Sequence, residues 1–239
     1  VLTSGHKVSK NLIKKLREQE GKGVKTFVAT GRTFSSSKPF VEMLGIKNPV
    51  INYNGGRVVN PLNSEVIFEK PVEAQDVEEL IKVSREKGIH LNLYMDDKLY
   101  IEHETEEGEK YSESVEIPYY VRNFDEFIGK SSTKALFIAE NSILLELKKE
   151  LEEKLPHLNF VFSKPHYLEC LNKEVNKGLA IKELLKKYES FFLFFISVFS
   201  YPFFLLVYRI LCICFFVLPI IKYEVTPLFI YSHYGRTNV

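Results

Sequence analysis

The sequence predicts an α/β protein: a partial Rossmann-like core with a parallel sheet, an inserted α+β region, and a hydrophobic C-terminal tail. Three observations lead there. Helical and short apolar segments alternate through the first 74 residues, the texture of a parallel sheet covered on both faces. From about Pro71 the apolar residues instead alternate singly with polar ones, the period of a half-buried antiparallel strand. Near Glu189 the composition breaks: residues 190–239 carry four charges and 15 of the chain's 32 aromatic residues.

Taken in order, Ser9 followed by Leu12, Ile13 and Leu16, and closed by Gly21 and Gly23, reads as a capped amphipathic helix. The run 25–29 is a buried strand ended by Thr30-Gly31-Arg32. Residues 33–44 form a second helix stopped by Gly45. Residues 49–53 form a second strand, closed by Asn54-Gly55-Gly56. A hairpin over 57–60 and 65–70 turns at Pro61-Leu62-Asn63-Ser64. A helix over 74–87 follows, with Val77, Leu80 and Ile81 inward. Ile89, Leu91, Leu93 and Met95 then alternate with His90, Asn92 and Tyr94, and Asp96-Asp97 turns that strand into 99–101. Strands at 134–139, 159–162 and 167–171 surround a helix over 142–155, and Asn176-Lys177-Gly178 opens a last helix to about Tyr188. The domain boundaries expected are 1–74 for the first part of the core, 75–163 for the insertion, 164–189 for the second part of the core, and 190–239 for the tail.

The chain has 239 residues, 32 Lys+Arg against 31 Asp+Glu, and three cysteines. A net charge of +1 argues against a dedicated nucleic-acid binder, and so few cysteines exclude a disulfide scaffold. The lysine-rich helix faces are interleaved with glutamates, as solvated surfaces are.

In parallel α/β sheets ligands bind at the carboxyl ends of the strands. Thr30-Gly31-Arg32 lies there, just before a helix whose first N–H groups suit a phosphate. Asn54-Gly55-Gly56 lies after the next strand. Taken singly, one is a plain helix start and the other a tight turn. Together, one βα unit apart, they point to phosphate. Lys177 sits at a helix N-terminus, against the dipole, a placement that makes sense beside an anion. Asp96-Asp97 reads as a hairpin turn, residues 104–109 as a solvated acidic face, and no histidine has metal-ligand spacing.

With Phe27-Val28-Ala29-Thr30-Gly31-Arg32, then Ile51-Asn52-Tyr53-Asn54-Gly55-Gly56, then Asn176-Lys177-Gly178-Leu179-Ala180, residues 1–188 resemble the haloacid dehalogenase (HAD) superfamily. Within it they are similar to the Cof-type sugar-phosphate phosphatases, which insert a large α/β cap between the second and third motifs. The resemblance implies a core-and-cap fold and hydrolysis of phosphoric monoesters of small metabolites, in the cytoplasm. It implies that Thr30 bonds the transferring phosphoryl group, that Lys177 neutralises its charge, and that Gly31, Arg32, Asn54 and Gly55 line the phosphate and substrate entrance. The family route is attack by an aspartate to give an aspartyl-phosphate, then hydrolysis, with Mg²⁺ bridging.

The sequence departs from that pattern. The Asp-x-Asp-Gly-Thr strand belongs before Leu2-Thr3-Ser4, and the acidic fourth motif belongs after Tyr188. No aspartate follows Asp125, so the Mg²⁺ ligands are expected to be missing, leaving a chain truncated at both ends and without turnover. The tail 191–221 carries one charge, Arg209, and admits two readings. It is a membrane anchor, or it is sequence foreign to the fold. The abruptness of the change favours the second. The alternative functions are a non-catalytic binder of phosphosugars and a membrane-tethered interaction protein.

Overall fold

The structure is a computed structural model that describes residues 8–188 and the strand 193–197. The core holds α1 (Lys10–Glu20), β1 (Lys25–Ala29), α2 (Phe34–Leu44), β2 (Val50–Asn52), β3 (Arg57–Val59) and β4 (Val66–Glu69). A six-stranded insertion follows: α3 (Ala74–Lys87), β5 (His90–Met95), β6 (Lys98–Ile101), α4 (Glu106–Val115), β7 (Tyr119–Val121), β8 (Lys134–Ile138), α5 (Asn141–Lys154), β9 (Leu158–Lys164) and β10 (Tyr167–Asn172). The chain then returns to the core through α6 (Lys177–Tyr188) and β11 (Leu193–Ser197).

The core sheet has the order β11-β1-β2-β3-β4. β11, β1 and β2 run parallel, and β2-β3-β4 form an antiparallel meander. Alternation sorts its side chains. Val28, Val50 and Val59 pack with Leu12 and Leu16 of α1 and Val41 of α2. Phe27, Ile51 and Val58 face Ala180 and Leu184 of α6 on the other side. These strands are buried on both faces, as their near-continuous apolar sequences require. Of the tail read as lying outside the fold, only 193–197 is described, as the strand beside β1; the expected anchor 191–221 otherwise falls outside the described residues. Among the described residues no helix is long and apolar enough to cross a membrane.

The second sheet has the order β7-β6-β5-β8-β10-β9 and is antiparallel except where β6 meets β7. Its sheet runs on to Asn172, past the residue 163 expected for the end of the insertion, because β10 pairs with β8 and β9. One face carries Leu91, Leu93, Phe137 and Leu168 against α3 and α5. The other face is not wet, as the alternation in 89–95 suggested: Asn92 and Tyr94 are both buried. The cover is α4, whose first residues the sequence predicts only as a solvated acidic face. Thr105 caps it by accepting from the Gly108 N–H, and Glu106, Glu107 and Glu109 fill its first turn, where the helix dipole favours anions. Tyr111 is its buried anchor, bonded at 2.6 Å to the Tyr94 hydroxyl. Ser9, read as the cap of α1, sits at the N-cap but makes no side-chain hydrogen bond there.

The two linkers are tied to each other. Lys70 pairs with Glu174 at 2.8 Å, and the Asn172 amide donates to the Pro71 carbonyl at 3.1 Å.

Candidate active site

The site begins at the carboxyl end of β1. Thr30 is buried; its N–H donates to the Ile51 carbonyl at 2.8 Å, and its own carbonyl accepts from the Asn54 N–H at 3.0 Å. Two loops one βα unit apart in sequence are thereby stitched edge to edge. The Thr30 hydroxyl oxygen accepts from the Arg32 N–H at 3.2 Å, which leaves its proton available to another acceptor. The Arg32 carbonyl accepts from Tyr53 N–H at 3.1 Å and from the buried Asn52 amide at 3.2 Å. Its guanidinium donates to the Ser36 hydroxyl at 3.0 Å and lies 5.3 Å above the Phe40 ring.

The loop after β2 is tightly constrained. Tyr53 and Asn54 take positive φ values of 49° and 58°, a conformation that costs a non-glycine residue energy and is tolerated best by asparagine. Gly55 follows at φ 111°, where a Cβ would fall 2.6 Å from the Asn176 carbonyl carbon and 3.0 Å from the Lys177 nitrogen. A Cβ on Gly31 would sit 3.0 Å from the Asn54 side-chain oxygen. The two glycines therefore permit three polar segments, remote in sequence, to abut. Asn176 caps α6 by accepting from the Leu179 N–H at 2.7 Å, and so fixes Lys177 as the first residue of that helix. Lys177 is half-buried, and burial lowers its ammonium below the ordinary lysine range.

The N-terminus of α2 differs from the expectation of free N–H groups. Thr33 caps it, accepting from the Ser36 N–H at 3.1 Å. The Phe34 and Ser35 N–H groups donate to the two carboxylate oxygens of Asp97, at 2.8 and 2.5 Å. The Tyr53 hydroxyl donates to the same carboxylate at 2.9 Å. Asp97 belongs to the tight β5–β6 turn, where Asp96 and Asp97 have φ 50° and 62°, the paired positive values of a type I′ hairpin. This is the hairpin turn that the sequence predicts; its reach across to the core has no local sequence signal. Tyr53, which the sequence places at the end of a strand, begins the turn after β2. Burial, together with the facing Asp97 carboxylate, holds its phenol neutral well above the ordinary tyrosine value.

The three abutting segments carry a hydroxyl on Thr30, a guanidinium on Arg32, a side-chain amide on Asn54 and an ammonium on Lys177. That set suits an anion. It does not suit Mg²⁺, which takes oxygen ligands and usually carboxylates. The neighbouring carboxylate, Asp97, is spent on two N–H groups and a phenol, and among the described residues no group of three or more His, Cys, Asp or Glu could hold a metal ion.

Comparison with known proteins gives the family. The family model of the haloacid dehalogenase-like hydrolases matches residues 1–191. A Streptococcus pyogenes protein provisionally named a phosphatase is 28% identical over 193 residues, covering 78% of this chain and 72% of its own length. A Yersinia pseudotuberculosis protein named HMP-PP phosphatase is 25% identical over 185 residues, covering 77% and 67%. A crystal structure from Thermotoga maritima superposes with a TM-score of 0.71 at 28% identity, covering 79% of this chain and 71% of that one. A haloacid dehalogenase-like hydrolase from Bacteroides thetaiotaomicron shares the fold at the same TM-score and 20% identity, covering 79% and 73%. On the family match and on a fold in which a six-stranded cap interrupts a Rossmann-like core, the chain belongs to the haloacid dehalogenase-like hydrolases, in their Cof-type phosphatase branch.

Proposed function

We propose that the edge formed by Thr30, Arg32, Asn54 and Lys177 holds the phosphoryl group of a small phosphorylated metabolite, with the cap taking the remainder of the molecule. Hydrolysis of such esters is the activity the family supplies, and relatives carry names such as HMP-PP phosphatase. The observation that carries the reading is the abutment of Gly55 on the Asn176–Lys177 backbone, beside the bond from Asn54 N–H to the Thr30 carbonyl. Phosphoryl transfer depends mostly on positioning and on charge stabilisation by fixed donors and cations. In this reading the Thr30 hydroxyl donates to a non-bridging phosphoryl oxygen while its lone pair stays committed to Arg32 N–H. Gly31 lets Asn54 approach the same oxygens, and Gly55 seats the loop against α6. Lys177 faces the accumulated negative charge, and the anion restores the proton affinity that burial takes from it.

The 239 residues contain four aspartates, Asp76, Asp96, Asp97 and Asp125, and none of them ends a strand of the core sheet. We therefore propose that this polypeptide binds the ester without turning it over. Titration calorimetry with a hexose 6-phosphate tests the binding. A millimolar complex is expected, weakened at least about tenfold by Lys177→Ala, since a charge-assisted hydrogen bond is worth that much or more. Absence of heat from the unsubstituted protein at millimolar ligand overturns it. Mg²⁺-dependent phosphate release above a Thr30→Val, Lys177→Ala control overturns the lack of turnover.

A further inference from the structure

Among the described residues, two sets of hydrogen bonds between cap and core differ in character. Near the linkers, the Glu69 carboxylate at the end of β4 accepts from the cap hydroxyl of Thr133 and faces the Arg57 guanidinium at 3.7 Å, while Val72 bridges to Ser132. At the N-terminus of α2 the contact is made by Asp97, from the tip of the β5–β6 hairpin. Its carboxylate takes the Phe34 and Ser35 N–H groups and the Tyr53 hydroxyl, and its carbonyl accepts from the Ser35 hydroxyl at 3.4 Å. One residue on, the Ser36 hydroxyl donates to the carbonyl of Val115, the last residue of α4, also at 3.4 Å. The first contact adjoins both linkers and stays close to any rotation axis. The second joins residues more than sixty positions apart and has no covalent support nearby.

We propose that Asp97 is a latch: its carboxylate, seated on the first turn of α2, holds the cap closed on the core, and release of that one side chain frees the cap to swing about its linkers. Three features make it a latch and not a fixed weld. Its three shortest bonds converge on one carboxylate, so they form and break together. Two of its three donors are N–H groups at the positive end of a helix, where a carboxylate is favoured but water is an adequate substitute. The side chain projects from a two-residue turn whose shape does not depend on the contact, since both positions adopt the left-handed region that the turn type demands. Tyr53 extends the effect: its ring stands edge-on to Tyr94 of the cap at 5.7 Å, so the core residue that bonds Asp97 is also embedded in the cap's aromatic cluster. The latch does not depend on phosphate binding, so either reading can fail alone.

Backbone amide exchange on the full chain tests it, with Asp97→Gly, Asp97→Asn and, as control for the turn, Asp96→Gly. Glycine and asparagine both tolerate positive φ, so each variant keeps the hairpin. Asp97→Gly is expected to speed exchange at Phe34 and Ser35 at least about tenfold, as loss of a charge-assisted bond implies. It is also expected to raise exchange together in residues 53–56 of the core and 111–117 of the cap, with Asp97→Asn intermediate and Asp96→Gly silent. Faster exchange confined to Phe34 and Ser35 would reduce Asp97 to a helix cap and overturn the latch. An equal effect from Asp96→Gly would assign the change to the turn and overturn it as well.

Discussion

Single residues decide whether the candidate site can exist. Gly55 is the sharpest case. Its φ of 111° lies beyond the left-handed helical region, and its Cα hydrogen faces the backbone of Asn176 and Lys177. Gly55→Ala must displace α6 or distort the loop, because the neighbour is backbone and cannot rotate away. The conformation alone costs about 1–3 kcal/mol, and the clash adds to it. Gly45, at φ 71° with nothing within 4 Å, is the natural comparison: Gly45→Ala carries conformational strain without a collision. Urea denaturation should rank Gly55→Ala well below Gly45→Ala in stability, and calorimetry should show that Gly55→Ala also weakens hexose 6-phosphate. Equal stability of the two variants would remove the close approach on which the site is built.

At the scale of elements, α2 carries the most function per turn. Its first turn is satisfied from two directions: Thr33 serves Ser36, and Asp97 serves Phe34 and Ser35. Thr33→Ala should cost about 1 kcal/mol, the usual worth of an N-cap oxygen. A urea midpoint unchanged from the parent would contradict that. Such helices were easy to read. α3 shows Val77, Leu80 and Ile81 on one face and a glycine stop at Gly88 in the left-handed conformation, and its limits fall where the pattern puts them. β1 and β2 were legible as short apolar runs between glycines. α4 was not, because its ten residues hold only Tyr111 and Val115 as apolar anchors, with Gly108 in the first turn. That glycine is needed where the helix meets His90: a Cβ there would come 2.8 Å from the ring. β7, three residues long and paired in parallel with β6, has no periodicity to betray it. Of the candidate site, the polar clusters at 30–32, 54–56 and 176–178 could be found because each ends or begins an element, where ligands bind in α/β sheets. Asp97 could not, since a tight turn already accounts for an aspartate there and nothing local announces a contact 63 residues away.

Across the whole molecule, the groups most deeply buried between the layers set how the fold answers to alkali. Burial raises the Tyr53 and Tyr94 phenols well above their ordinary 10.0, and raises the Cys170 thiol far above 9.0. Burial would lower Lys134, but the Glu169 carboxylate and the Tyr111 hydroxyl together outweigh it and the ammonium ends above 10.5. In each case the folded chain keeps a proton that the unfolded chain releases, so stability falls as pH rises through the unfolded value. Lys177 acts in the opposite sense: between its lowered folded value and 10.5 the unfolded chain binds the extra proton, and stability rises with pH. Four buried groups oppose one, so the sign above about pH 10 is destabilising. Urea midpoints should fall from pH 8.5 to pH 10.5. Tyr53→Phe should start lower, having lost the bond to Asp97, but fall less steeply, having one fewer phenol to ionise. A midpoint that holds or rises across that window would contradict the burial of these groups. The same titration bears on the latch, because a Tyr53 phenolate would face the Asp97 carboxylate across 2.9 Å. Two like charges at that distance repel, so the cap should loosen before the core unfolds. Amide exchange in residues 111–117 should then accelerate at a lower pH than exchange in β1 and β2.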